Sequence, residues 1–205
     1  MEFADIVARR RSVRQFEPGV TLDDATLHTL FERVVQSPSS FNVQHWQFVV
    51  VREAARKAEL RKLSYGQAQV EQCAAAVFVC GNLDAHADAA RIYADADEEM
   101  RGKYVPMIEG VYRDQPVLQR EEAIRSGALA AMTLMYAAQD LGWDSGPMIG
   151  FDAAKVSAYL ALPVHVVPVM LVVLGRAAAP SGPRGYRRPL SEVVHLESFG
   201  GASPA

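Results

Sequence analysis

The stretch SPSSFNVQHWQFVVV, Ser37–Val51, decides how the rest of the chain is read. A helical pattern ends just before it. The apolar run Phe48–Val51 has the composition of a strand. Between them Ser39, Ser40, Asn42 and Gln44 crowd the mouth of that strand. Pro38 stiffens the turn, so the two hydroxyls are held in place. If the segment is extended, Asn42 and Gln44 point to one side, because they alternate with Phe41 and Val43. An amide both donates and accepts, which suits a heterocycle with imide and carbonyl edges. A helix-to-strand turn with side-chain-to-backbone bonds would use the same residues, and the stretch alone favours that reading.

Upstream, Phe3, Ile6, Val7 and Arg10 follow a helical period that ends in Arg9–Arg11, cations at the favoured end of the dipole. Thr21 and Asp24 read as an acidic variant of a capping box. Behind them Leu27, Leu30, Phe31, Val34 and Val35 form one stripe, which predicts a helix over 22–36. Downstream, residues 53–63 read as helix, Ala74–Cys80 as a buried strand and 84–103 as helix. Pro106, Gly110 and Pro116 break the periodicity of 104–118, which reads as a loop or flap. Residues 121–141 form a helix apolar well round its circumference, as in a core or an intersubunit contact, and Gly142 stops it. Residues 152–161 read as a short helix. Val166–Leu174 reads as a strand with an edge position or a bulge at Pro168. An extended tail begins at Gly175. With no repeat and no linker, residues 1–205 form one domain, and strands separated by helices predict an α+β or α/β fold around a small sheet.

Composition narrows the function. The 205 residues can bury a sizeable core, and half of them are apolar. A formal charge of −3 argues against nucleic-acid binding, which needs a basic face. The apolar runs are too short to span a membrane, and MEFADIVARRR does not read as a signal peptide. Cys73 and Cys80 are too few for a disulfide framework and read as core thiols of a reduced, cytoplasmic protein. The five histidines show no ligand spacing, so metal chemistry has no support. No Gly-x-Gly-x-x-Gly follows a strand, and no Ser-His-Asp order is legible.

Four further segments carry chemistry. In Arg10-Arg11-Ser12-Val13-Arg14 the guanidinium forks match phosphate oxygens, although a solvated helix end reads the same way. Tyr65–Val70 offers the amides of Gln67 and Gln69. In Ser145–Asp152 two glycines would bring backbone N–H groups close to a ligand, and Asp152 would cap the next helix. Arg187 and Arg188 are possible partners for Arg10 and Arg14.

Taken in order, RRSVRQF (10–16), SPSSFNVQHWQFVVV (37–51) and DSGPMIGFD (144–152) make the chain from Ile6 to Val194 resemble the nitroreductase family of flavin enzymes. The last segment is most similar to a branch with a CPMIGFD-type loop, with Gly146 where the cysteine would sit. The resemblance implies an α+β fold whose small, mostly antiparallel sheet is flanked by helices. It also implies an intertwined homodimer with two FMN sites at the subunit interface. Arg10, Ser12 and Arg14 would hold the flavin phosphate and ribityl chain, with Arg11 adding backbone contacts. Pro38, Ser39, Ser40 and Asn42 would reach the same flavin from the other subunit, supported by Gln44. Gln67 would meet the pyrimidine edge. Pro147, Met148, Ile149 and Gly150 would lie beside the ring, with the Ile149 or Gly150 N–H aimed at N5. Arg188, with Arg187, would complete the phosphate site. Some relatives carry glutamate at the position of Ile149, and some a lysine near the tail arginine, where Tyr186 stands here. Residues 91–118 correspond to the substrate-channel segment of relatives.

The implied reaction is ping-pong: hydride passes from NADH or NADPH to flavin N5, then electrons pass to a nitroaromatic, quinone or similar small acceptor. No protein nucleophile is required. The rival readings are the same fold acting on an activated alkene or on flavin itself, and a flavin-binding protein without turnover.

Overall fold

In the computed structural model, which describes residues 1–204, the strand expected at Phe48 begins two residues earlier, at Trp46. In chain order the elements are α1 (Phe3–Arg9), α2 (Asp24–Val34), β1 (Trp46–Val51), α3 (Ala54–Leu63), α4 (Ala68–Gln72) and β2 (Ala75–Asn82). Then come α5 (Ala89–Ile92), α6 (Glu98–Tyr112), α7 (Pro116–Asp140), β3 (Asp144–Met148), α8 (Ala153–Tyr159), β4 (Val166–Gly175) and α9 (Leu190–Val193). The strands form one sheet in the order β1-β2-β4-β3, and every pairing is antiparallel. The fold is therefore α+β.

Both faces of the sheet are covered, so β2 is a continuous apolar run rather than an alternating one. Val77, Val79, Val172 and Leu174 face Ala130, Ala131, Leu134 and Ala138 of α7. Ala76, Phe78, Leu171 and Val173 face Val13, Phe16, Leu60, Phe151 and Val156. The helix α7 approaches the sheet closely because small residues line the contact. A Cβ at Gly81 would sit 2.8 Å from the Ala123 carbonyl oxygen, and one at Gly127 would sit 2.9 Å from Val169 Cγ2.

Val169 is the extra residue of a bulge: Val79 pairs with Met170, but Cys80 pairs with Pro168. The expected bulge at Pro168 is present, whereas the expected edge position is not, since β4 lies between β2 and β3. The bulge takes up the register where proline offers no N–H.

Five expectations need correcting. Residues 104–118 are not a flap: α6 runs through Pro106 to Tyr112, and Pro116 opens α7 as its first residue. An interior proline costs a free helix about 3 kcal/mol, but the burial of Ile108 and Tyr112 fixes this one from outside. The helix expected over 84–103 is broken; a 3₁₀ turn and the short α5 precede α6, which restarts where Asp97 accepts the Met100 N–H. Asp23, not Thr21, caps α2, accepting the Thr26 N–H at 2.7 Å. Residues 145–148 form an edge strand rather than a loop, because Gly146 and Pro147 suit an edge where only one neighbour needs pairing. Finally, Ser40–Asn42 is a 3₁₀ turn and not extended, so Asn42 and Gln44 do not alternate along a strand.

Candidate functional site

The site is built on the edge strand β3. The segment after α1 runs beside it: Ser12 bridges Ser145 in parallel, and the Val13 N–H donates to the Ser145 carbonyl at 3.0 Å. A Cβ at Gly146 would lie 2.5 Å from the Val13 carbonyl oxygen, so glycine is what permits the contact. After β4 the chain returns along the same segment, with Glu17 N–H to Arg176 O at 2.9 Å and Ala178 N–H to Gln15 O at 3.0 Å. The tail is thereby laid over the arginine motif.

Two cavities flank this motif and share Ser12, Val13 and Arg14. One, of about 400 Å³, is lined by Ser12, Arg14, Gln67, Gln69, Gly146, Pro147 and Met148. The other, of about 430 Å³, is lined by Arg10, Arg11, Arg14, Arg184, Arg187 and the tail around Gly182. No carboxylate among the described residues lines either cavity. Among the described residues none of these five arginines forms an ion pair. The Arg11 Nη1 group donates to the Ala8 and Arg10 carbonyls at the end of α1, which leaves its buried Nε without a partner. Arg188 lines neither cavity.

Arg184 is the residue that sequence reading missed. It donates to the carbonyls of Val7, Ala8 and Arg10 at 2.7, 3.1 and 3.2 Å, tying the tail to the end of α1. Desolvation and then the charges of Arg11, Arg187 and Arg10 hold its pKa below the usual guanidinium value. Its only sequence signal is its nearness to Arg187 and Arg188.

Gln67 holds the far end of β3. Its Nε2 donates to the Gly150 carbonyl at 2.8 Å and to the Ser64 carbonyl at 3.1 Å, which uses both amide protons. Its Oε1 accepts from Gln69 Nε2 at 3.1 Å, leaving the Gln69 carbonyl oxygen as the unpaired amide acceptor in the cavity lining. The backbone N–H groups of Ile149 and Gly150 find no acceptor among the described residues. The Ile149 side chain stands exposed, and Asp152 caps α8 through the Lys155 N–H.

Pro38, Ser39, Ser40 and Asn42 are not brought to this cleft. They enter β1, and two strands separate β1 from β3, three spacings or roughly 14 Å. Their loop is held from the other side. Ser39 Oγ accepts the Gln44 N–H at 2.8 Å, Tyr112 pairs with Ser40, and Tyr93 donates to the Phe41 carbonyl. Residues of the 91–118 segment thus pack against this loop. His45, buried beside it, shares a 3.2 Å hydrogen bond with Ser126 Oγ. Cys73 and Cys80 are buried in the core, and burial pushes both thiols up to about 12.

An antiparallel sheet covered by helices, with an acid-free basic cleft along one edge strand, defines an α+β protein equipped to hold an anionic ligand. The chain belongs to the Nitroreductase family, whose model matches residues 7–176. It is 35% identical over 201 residues to the Bacillus subtilis protein named "Putative NAD(P)H nitroreductase MhqN", covering 94% of this chain and 98% of that one. It is 28% identical to the "CLA biosynthesis enone reductase" of Lactiplantibacillus plantarum, over 86% of each chain. A protein of Exiguobacterium sibiricum solved in complex with FMN superposes with a TM-score of 0.89 at 28% identity, over 96% of this chain and 98% of that one. No helix among the described residues is long and apolar enough to cross a membrane.

Proposed function

We propose that this protein is an FMN-dependent NAD(P)H oxidoreductase that works as a homodimer and reduces a nitroaromatic, quinone or similar small acceptor. The observation that carries the reading is the cleft along β3, basic at one end and lined by the amides of Gln67 and Gln69 at the other, with the unpaired N–H groups of Ile149 and Gly150 next in the chain after its Met148 wall. FMN has the matching shape, a phosphate joined through a polyol to a planar heterocycle. The cluster of Arg10, Arg11, Arg14, Arg184 and Arg187 suits the phosphate, and the partnerless Arg11 Nε is a buried donor that such an anion would satisfy. Ser12 suits the polyol. Gln69, fixed by Gln67, suits the pyrimidine edge, and Pro147 and Met148 suit the ring face. FMN bound there would accept hydride at N5 from NADH or NADPH and pass the electrons to the acceptor. The free N–H of Ile149 or Gly150 would mark the N5 side. Donors at the pyrimidine edge would stabilise the charge that develops on reduction.

The homodimer reading rests on the distance across the sheet. Ser39, Ser40 and Asn42 lie at the β1 edge and serve a flavin held by another copy. Exposed apolar side chains support a second chain: Val117, Ile124 and Leu129 on α7, and Tyr186, Leu190, Val193 and Phe199 in the tail. The likeness to an enone reductase keeps an activated alkene as the second substrate class. Product analysis after anaerobic turnover with a nitroarene and an enone separates the two. The test of the main reading is a visible spectrum of the purified protein, followed by anaerobic titration with NADH and NADPH. Yellow protein bleached by either nucleotide is expected. A protein still colourless after FMN reconstitution overturns the reading, and bound FMN that neither nucleotide bleaches leaves the non-catalytic alternative.

A further inference from the structure

The loop that enters β1 holds three non-glycine residues in the left-handed region: Phe41 at φ 51°, Asn42 at 56° and Gln44 at 57°. Asn tolerates that backbone, but Phe and Gln rarely adopt it, and at Phe41 and Gln44 it persists only where surrounding structure over-determines it. The structure around it comes from residues 91–118, the segment that corresponds to the substrate channel of relatives. Tyr93, just after α5, donates its hydroxyl to the Phe41 carbonyl at 3.1 Å. Tyr112, at the end of α6, meets Ser40 Oγ at 2.9 Å. Tyr112 is itself clamped: the rings of His45 and His86 each lie 5.8 Å from it and that of Phe41 6.3 Å. Its backbone carbonyl accepts from Gln119 Nε2 at 2.8 Å.

The direction of the Tyr112–Ser40 bond follows from proton accounting. Tyr112 is 1% exposed, and its hydroxyl has no other acceptor among the described residues. If Ser40 were the donor, the phenolic proton would be buried without a partner, which is the costlier arrangement. Burial also raises the Tyr112 pKa, so the phenol keeps its proton at neutral pH. Tyr112 therefore donates, and the Ser40 proton is left to point elsewhere.

We propose that Tyr112 is a positioning residue: by donating to Ser40 Oγ it commits the Ser40 hydroxyl to donate outward, to the flavin that Ser40 serves. The proposal rests on the FMN reading above. It gives the 91–118 segment a further task, as the scaffold that holds a strained cofactor wall.

The experiment measures FMN dissociation from the purified holoenzyme by recovery of free-flavin fluorescence, in wild type, Ser40→Ala, Tyr112→Phe and the double variant. Tyr112→Phe conserves the ring volume, and a thermal melt with excess FMN checks its fold. Each single variant is expected to weaken retention roughly five- to tenfold, the size of one hydrogen bond. The double variant is expected to be no weaker than Ser40→Ala, because Tyr112 acts through the Ser40 hydroxyl. Ser40→Thr, which keeps a hydroxyl, is expected to restore most of the retention. If Ser40→Ala weakens FMN but Tyr112→Phe does not, the positioning role is overturned while the cofactor reading stands. If Tyr112→Phe weakens FMN equally in both backgrounds, Tyr112 acts on the fold and the proposal is again overturned. If Ser40→Ala leaves retention unchanged, Ser40 is not part of the cofactor wall and the assignment falls with it.

Discussion

Gly146 lies against the Val13 carbonyl so closely that a Cβ would sit 2.5 Å from its oxygen. Through this contact the arginine motif is laid on the edge of the sheet, with the Val13 N–H bonded to the Ser145 carbonyl. A Cβ there must push the two segments apart. Gly146→Ala is expected to destabilise the fold by about 1–3 kcal/mol, the range for overpacking, and to loosen FMN. Thermal melts with and without added FMN check both effects. A melt unchanged in either condition would show that the two segments yield freely.

Gln67 spends both amide protons on carbonyls, those of Gly150 and Ser64. Gln67→Leu keeps much of the bulk and leaves the Gly150 carbonyl unpaired, while the Ser64 carbonyl keeps the backbone N–H of residue 67. It is expected to cost about 1–3 kcal/mol in stability. Stopped-flow reduction by NADH is expected to slow as well if Gly150, proposed to lie beside the flavin ring, loses its tether. A variant that is reduced at the wild-type rate would separate Gln67 from the site.

Arg184 ties the tail to the carbonyls at the end of α1. Arg184→Ala is expected to free the tail, so that trypsin cuts after Arg187 faster than in wild type; Pro189 protects the bond after Arg188. It should also weaken FMN retention, since Arg187 would no longer be held beside Arg14. Unchanged cleavage kinetics would show that the tail is anchored by other contacts.

His45 sets a pH window. Burial, the largest cause, holds its pKa below the ordinary 6.5; Glu122 pulls it upward and His86 downward. The unfolded chain therefore binds the proton first as pH falls. The stability that His45 contributes is fully present above pH 6.5 and is lost as pH drops through the lower folded value. Urea melts from pH 7.5 to 5 are expected to show this loss, and His45→Gln is expected to flatten it. An equal slope in both proteins would assign the loss to other groups.

How much was legible beforehand varies by element. Periodicity identified α2, α7 and β2 because each buries a face or a whole run, and burial leaves its mark on composition. It failed over 104–112, where Pro106 and Gly110 argue against a helix. The burial of Tyr112 and Ile108, invisible in a local window, outweighs them. The strand β3 was hidden for a related reason. Gly146 and Pro147 are poor strand formers, and their pairing is imposed by β4, while on the outer side the Val13 segment bonds only to Ser145.

By itself the sequence determined the kinds of chemical group available: the arginines before Phe16, the hydroxyls and amides before Trp46, and the glycine-flanked Pro147–Ile149. Those are properties of side chains and local backbone, which a chain carries whether folded or not. Only the tertiary structure decided which groups meet. It placed Arg184 rather than Arg188 at the end of α1, spent the amide protons of Gln67 on the Gly150 and Ser64 carbonyls, and put Ser40 under Tyr112 at the edge of the sheet opposite Arg14. These outcomes depend on contacts between residues tens of positions apart, fixed by the antiparallel register of the sheet and the packing of α7 across it.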